Sequence, residues 1–133
     1  MSTIPSNAPL YLLDAATAIV GSLLIYSGVL GTFLDPVRLA IAFGIPSPPP
    51  PQTLTFLPSG CGRNLAAGIF VWTLTILRER KVLGIFLLCW TMAGISDVKI
   101  LLEYPGGRNV GVHVRNICIL VGLGLLNLRY EVR

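Results

Sequence analysis

Charge is what this chain lacks. Of its 133 residues, 12% are Asp, Glu, Lys or Arg and 53% are hydrophobic, whereas a soluble domain carries about 25% charged residues. With half that complement a water-facing surface cannot be covered, so much of the surface must face lipid. Histidine occurs once, and the three cysteines, Cys61, Cys89 and Cys118, form no CxxC pair. One histidine without clustered thiols cannot close a zinc site from a single chain, so neither a metal nor another cofactor is expected. Cys89 and Cys118 lie inside apolar segments, where they pack as small hydrophobes. The net charge is +4, but the basic residues are scattered. No basic stripe interleaved with aromatics tracks a phosphate backbone, which argues against a nucleic-acid partner. Gly60-Cys61-Gly62 and Gly106-Gly107 lack the strand, lysine and helix of a phosphate loop, and no serine stands in a GxSxG elbow. The first nine residues carry no lysine or arginine, and the first apolar run outlasts a signal-peptide core, so it reads as a retained span.

What the chain does have is four long apolar runs. They predict an all-α integral membrane bundle of four transmembrane helices, one domain over 1–133, with spans at about 9–34, 60–77, 82–104 and 109–128. Asp14 is the only charge in the first run, and the roughly 20 residues after it suffice to cross ~30 Å of hydrocarbon. Asp35-Pro36 stops that run, as an N-cap followed by proline at the first helical position, and predicts a short interfacial segment ending at Gly44. Ile45-Pro46-Ser47-Pro48-Pro49-Pro50-Pro51-Gln52 follows, read as a stiff extended connector. Short turns at Arg78-Glu79-Arg80-Lys81 and Pro105-Gly106-Gly107 make consecutive helices antiparallel. Arg78, Arg80, Lys81, Arg129 and Arg133 fall on the face that holds both termini, which orients both termini to the cytoplasm; the membrane expected is the endoplasmic reticulum or another internal one. Gly21, Gly28 and Gly31 thin the first helix and leave a homodimer open.

Ionisable groups inside a span face the bundle interior, pair, or line a cavity. Asp97 lies 15 residues after Val82, about 22 Å along the third span and about 8–10 Å from its far end. Arg63 and Asn64 open the second span, His113 sits a turn into the fourth, and Asp35 ends the first. All five fall in one layer, together with Lys99, Glu103, Arg108, Asn109, Arg115 and Asn116. Asn109, His113 and Asn116 share one helix face, expected to look inward. Asp14 stands alone near the opposite membrane face as a cap or snorkelling group, and Tyr26 is a candidate hydroxyl pointing into the bundle. Trp72 and Trp90 read as packing or interfacial groups.

Two readings of the layer stay open: a structural network with Arg63 paired to Asp97 or Asp35, and a half-wet pocket. In the second, Asp97 activates water or a hydroxyl against an epoxide carbon, and His113 or Arg63 protonates or stabilises the leaving oxygen. Asn64 orients the nucleophile, Asp35, Asn116 and Tyr26 help to position it, and the apolar bundle holds a lipophilic small molecule delivered from membrane lipid. Gly60-Cys61-Gly62-Arg63-Asn64-Leu65-Ala66-Ala67-Gly68, an aspartate late in the third span and a histidine early in the fourth resemble a family of small fungal four-span membrane proteins. Several are encoded beside polyketide or terpenoid biosynthetic genes, and some resemble the membrane-bound epoxide hydrolases of aurovertin- and citreoviridin-type pathways. The resemblance implies an epoxide hydrolase or cyclase working through Arg63, Asn64, Asp97 and His113. The rivals are a non-catalytic scaffold of pathway enzymes and a small-metabolite carrier.

Overall fold

The structure, a computed structural model, describes residues 8–131. Arg133 and the two chain ends, on which part of the orientation argument rests, lie outside the described residues. The order is α1 (Ala8–Val29) continued by a π-helical turn (Leu30–Leu34), α2 (Pro36–Phe43), α3 (Pro51–Leu77), α4 (Arg80–Glu103) and α5 (Val110–Glu131). Among the described residues there is no strand. Four helices are long and apolar enough to cross a membrane, and large apolar side chains such as Leu12, Phe33, Ile76 and Leu102 are exposed on their outer surfaces. The chain is an all-α, multi-pass membrane protein.

Asp35 caps α2 as its sequence predicts: its Oδ1 accepts from Arg38 N at 2.9 Å, with Pro36 at the first helical position. Gly44 ends α2 at φ +123°, a conformation open to glycine, and a Cβ there would strike the Arg108 carbonyl. The second span departs from expectation, since α3 begins at Pro51 and not near residue 60. Pro51 takes the first helical position, where a missing N–H leaves no bond unmade, and Pro58 gives up only one bond inside the helix. The proline connector therefore shrinks to residues 45–50. At 27 residues, α3 is about 40 Å long. It outreaches the ~30 Å hydrocarbon, and its first turns belong to a cap built with α2.

The helices associate as two antiparallel pairs, α1 with α3 and α4 with α5. Glycines let each pair close: a Cβ on Gly28 would lie 2.5 Å from Leu65 N, and one on Gly84 would lie 2.8 Å from the Gly124 carbonyl. Trp72 Nε1 donates to Ser22 Oγ at 3.0 Å and Asn64 Nδ2 to Ser27 Oγ at 3.3 Å, both between α3 and α1. The two pairs meet through a central cluster of Val71, Leu74, Leu83, Leu87 and Leu120, joined by Val20 of α1.

At the membrane face that carries the Arg78-Glu79 turn, an ion pair adds to this. Arg80 Nη2 lies 2.7 Å from Asp14 Oδ1, with side chains 11% and 26% exposed. Asp14 is not the solitary group its sequence suggests; it ties α1 to α4. Asn127, fully buried, donates to the Leu123 carbonyl at 2.9 Å. Asp14→Ala leaves a buried guanidinium without its counter-charge, and a loss of about 3 kcal/mol is expected, read as reversible unfolding in mixed micelles. The exchange Asp14→Arg with Arg80→Asp is expected to recover most of it. Gly28→Val, which drives side-chain atoms into α3, is expected to destabilise further, whereas Gly122→Ala, with nothing within 4 Å of the new Cβ, is expected to hold or slightly raise stability.

Candidate active site

At the opposite face, α2 and the segment after it lie over the ends of α3, α4 and α5. Ala40, Ile45 and Leu101 form the centre of this cap, packed by Phe43, Leu54, Leu57, Tyr104 and Val110. Polar bonds hold it down: Arg108 N donates to the Gly44 carbonyl at 2.9 Å and Asn109 Nδ2 to the Ala42 carbonyl at 3.1 Å. Asn109 adopts φ +63° just before α5, a left-handed conformation that asparagine tolerates.

The third bond reaches the centre of the site. His113 Nε2 lies 3.0 Å from the Phe43 carbonyl, and the Phe43 ring meets the imidazole edge-on with centroids 4.7 Å apart. His113 Nδ1 faces Asp97 Oδ2 at 3.5 Å, with side chains 13% and 37% exposed. A carbonyl only accepts, so Nε2 carries a hydrogen. The other ring nitrogen, Nδ1, is turned to the Asp97 carboxyl. Both ring nitrogens are engaged, so the group left free to meet another molecule is the Asp97 carboxyl.

Asp97 lies eleven residues, about three turns, from Phe86 and seven, about two turns, from Trp90, on one stripe of α4. That stripe borders a groove of about 430 Å³ between α3 and α4, lined by Arg63, Ala66, Ala67, Phe70, Phe86 and Trp90. Phe70 meets Phe86 edge-on at 5.0 Å, and Phe86 stacks on Trp90 at 5.6 Å. Arg63 is exposed and, among the described residues, has no ion pair. Its guanidinium turns back along α3 toward Gly60, where a Cβ would stand 3.6 Å from Nη2.

The layer expected from sequence is thus divided. Asp97 and His113 come together, whereas Arg63 lines the α3–α4 groove, which ends short of both, and pairs with neither Asp97 nor Asp35. Asn64 is committed to Ser27, which tethers α3 to α1. Asp35 is used as the cap of α2. Asn116 faces outward on α5, as does Tyr26 on α1 at 56% exposed, so neither points into the bundle. Lys99 and Glu103 form an exposed pair at 3.8 Å, of small energetic weight. Among the described residues no three His, Cys, Asp or Glu side chains converge on a metal position. The Phe43 carbonyl was invisible to motif reading, because a backbone acceptor has no signature.

A family model described as a domain of unknown function, DUF4267, matches residues 21–127. The chain belongs to the DUF4267 family. In this DUF4267 member the matched segment runs from within α1 to within α5 and contains Arg63, Arg80, Asp97 and His113, while Asp14 precedes it. No curated protein and no solved structure matches the chain.

The cap depends on its polar tethers. His113→Ala removes one of the three bonds between α2 with its C-cap and the chain at the start of α5. It is expected to raise hydrogen–deuterium exchange across residues 36–46 at least about tenfold, the equivalent of one ~1.4 kcal/mol bond. Asn116→Ala, which removes an outward side chain, is expected to leave that exchange as it was.

Proposed function

We propose that this protein is a membrane-embedded enzyme that opens an epoxide of a lipophilic polyketide or terpenoid intermediate. Opening proceeds by hydrolysis or by cyclisation on the substrate's own hydroxyl. The Asp97–His113 pair carries this reading: a carboxyl one-third exposed, backed by an imidazole whose other nitrogen is pinned to a backbone carbonyl. General acid–base work needs a group held within reach of the reacting proton and a partner that fixes its protonation state. Asp97 takes the proton of the attacking water or hydroxyl as its oxygen bonds to an epoxide carbon and the ring C–O bond breaks. Arg63 stabilises the alkoxide so formed, which then takes that proton back from Asp97. Water adds across the epoxide in the first case, and the cyclic product is an isomer in the second. His113 acts by orienting Asp97, with its Nε2–H held by the Phe43 carbonyl and its Nδ1 turned to the carboxylate.

The rivals receive less support. A scaffold would be favoured by an Arg63–Asp97 pair sealing the layer, and among the described residues that pair is not made. A carrier needs a polar path from Asp97 to Asp14, and Val71, Leu74, Leu83, Leu87 and Leu120 fill the space between with apolar side chains. We further place the protein in the endoplasmic reticulum or another internal membrane with both termini cytoplasmic. Arg78, Arg80 and Lys81 crowded at one turn support that orientation, and a C-terminal glycosylation tag that stays unmodified would agree with it.

The test uses membranes containing the full chain, a lipophilic bisepoxide and heavy-oxygen water. Label in the diol means hydrolysis, and unlabelled cyclic product means an internal nucleophile. Asp97→Asn is expected to lower turnover about 10²- to 10⁴-fold and His113→Ala by a smaller factor, with Tyr11→Phe unchanged. Full turnover by Asp97→Asn, present at normal levels in the membrane, would retire the mechanism.

A further inference from the structure

The groove between α3 and α4 is polar at one end only. Counted from the Phe70–Phe86 contact, Arg63 lies seven residues along α3 and Asp97 eleven along α4, about 10 and 16 Å toward the cap face. The Arg63 side chain turns toward Gly60, which narrows that difference. Guanidinium and carboxyl therefore come to similar depths, Arg63 at the polar end of the lining and Asp97 on the α4 stripe about two turns beyond Trp90. Below them the lining is Ala66, Ala67, Phe70, Phe86 and Trp90, apolar apart from the indole N–H. Ala66 is exposed and Phe70 is 42% exposed, so the groove lies open toward the bilayer along its side. Its volume of about 430 Å³ falls in the usual range of ligand sites, ~300–1,000 Å³. Beyond Asp97 the space is taken by the cap: Ala40, Ile45 and Leu101 are buried there, and the Phe43 ring is set against His113.

We propose that the substrate is a single-chain lipophile which enters this groove sideways from the bilayer, and that its reacting oxygen lies at or near one end of the chain. The proposal rests on the reading of Asp97 as the working base and adds where the rest of the substrate goes. A chain whose oxygen is terminal places that oxygen between Arg63 and Asp97 and lays its carbons on Ala66, Phe86 and Trp90. An oxygen in mid-chain, brought to the same place, forces the carbons beyond it into the cap or into interfacial water. Each methylene so displaced weakens binding about fourfold.

Membranes containing the full chain are given 1,2-epoxyhexadecane or 8,9-epoxyhexadecane, and separately a photoreactive hexadecan-1-ol whose diazirine stands either beside the hydroxyl or deep in the chain. Terminal epoxide is expected to be turned over with kcat/KM at least about 100-fold above the mid-chain isomer, a factor that four displaced methylenes already exceed. The deep diazirine is expected to label Phe70 or Phe86, and the diazirine beside the hydroxyl to label residues level with Arg63. Ala66→Phe, which fills the groove from an exposed position, lowers labelling at least tenfold, whereas Ile119→Phe on the lipid-facing side of α5 does not. Equal turnover of the two epoxides, or labelling that does not follow diazirine position, overturns the proposal. Ordered labelling with no turnover of any epoxide upholds the groove and its end-on occupant and retires the epoxide chemistry alone.

Discussion

In hydrocarbon an ionised side chain has no water to turn to, and the Asp14–Arg80 pair shows what that constraint builds. Each charge alone would be expelled or neutralised; at 2.7 Å Arg80 Nη2 and Asp14 Oδ1 offset one another and bind α1 to α4. The α1–α3 pair and the α4–α5 pair each close through glycine contacts and need no charge. The join between them lacks such a seam. It relies on the Val71–Leu120 cluster in the middle, the ion pair at one face, and the bonds from Gly44, Ala42 and Phe43 to the start of α5 at the other. Fastened at both faces, the pairs leave grooves along their sides, between α3 and α4 and between α1 and α5.

This architecture bears directly on the site. A tightly sealed bundle would expose no polar group to a molecule dissolved in lipid. Here the opening lies beside a stripe of α4 that ends in Asp97, and the cap that pins His113 also closes the end of the groove. In the proposed mechanism the orientation of the imidazole beside Asp97 and the tethering of the cap use the same hydrogen bond, from His113 to the Phe43 carbonyl. The imidazole takes its orientation from a backbone atom, which stays in place as long as the cap does.

Much of the scaffold was legible in the sequence. Four apolar runs, a cap at Asp35-Pro36 and a stop at Gly44 all stand where residue chemistry predicts, because span length and capping are local properties. Span length alone places the start of α3 near residue 60, but the helix begins at Pro51, since at the first helical position proline's missing donor meets no obligation, and Pro58 costs one bond that the helix tolerates. Within the site, depth along each helix brought Asp97 and His113 into one layer. It could not separate them from Asn64, Asp35, Asn116 and Tyr26, whose azimuths depend on the rotation of each helix against its neighbours.

The sequence by itself determined that the chain lives in a membrane, how many times it crosses, and at which depth its polar groups lie, because hydropathy and rise per residue act along one helix at a time. Only the tertiary structure decided partners: Asp14 with Arg80, Asn64 with Ser27, His113 with both Asp97 and Phe43, and Arg63 with a groove and no counter-ion. Those choices follow from which helix pairs pack most closely. Glycine contacts between α1 and α3 and between α4 and α5 set the rotations, and the polar groups took the neighbours that those rotations supplied.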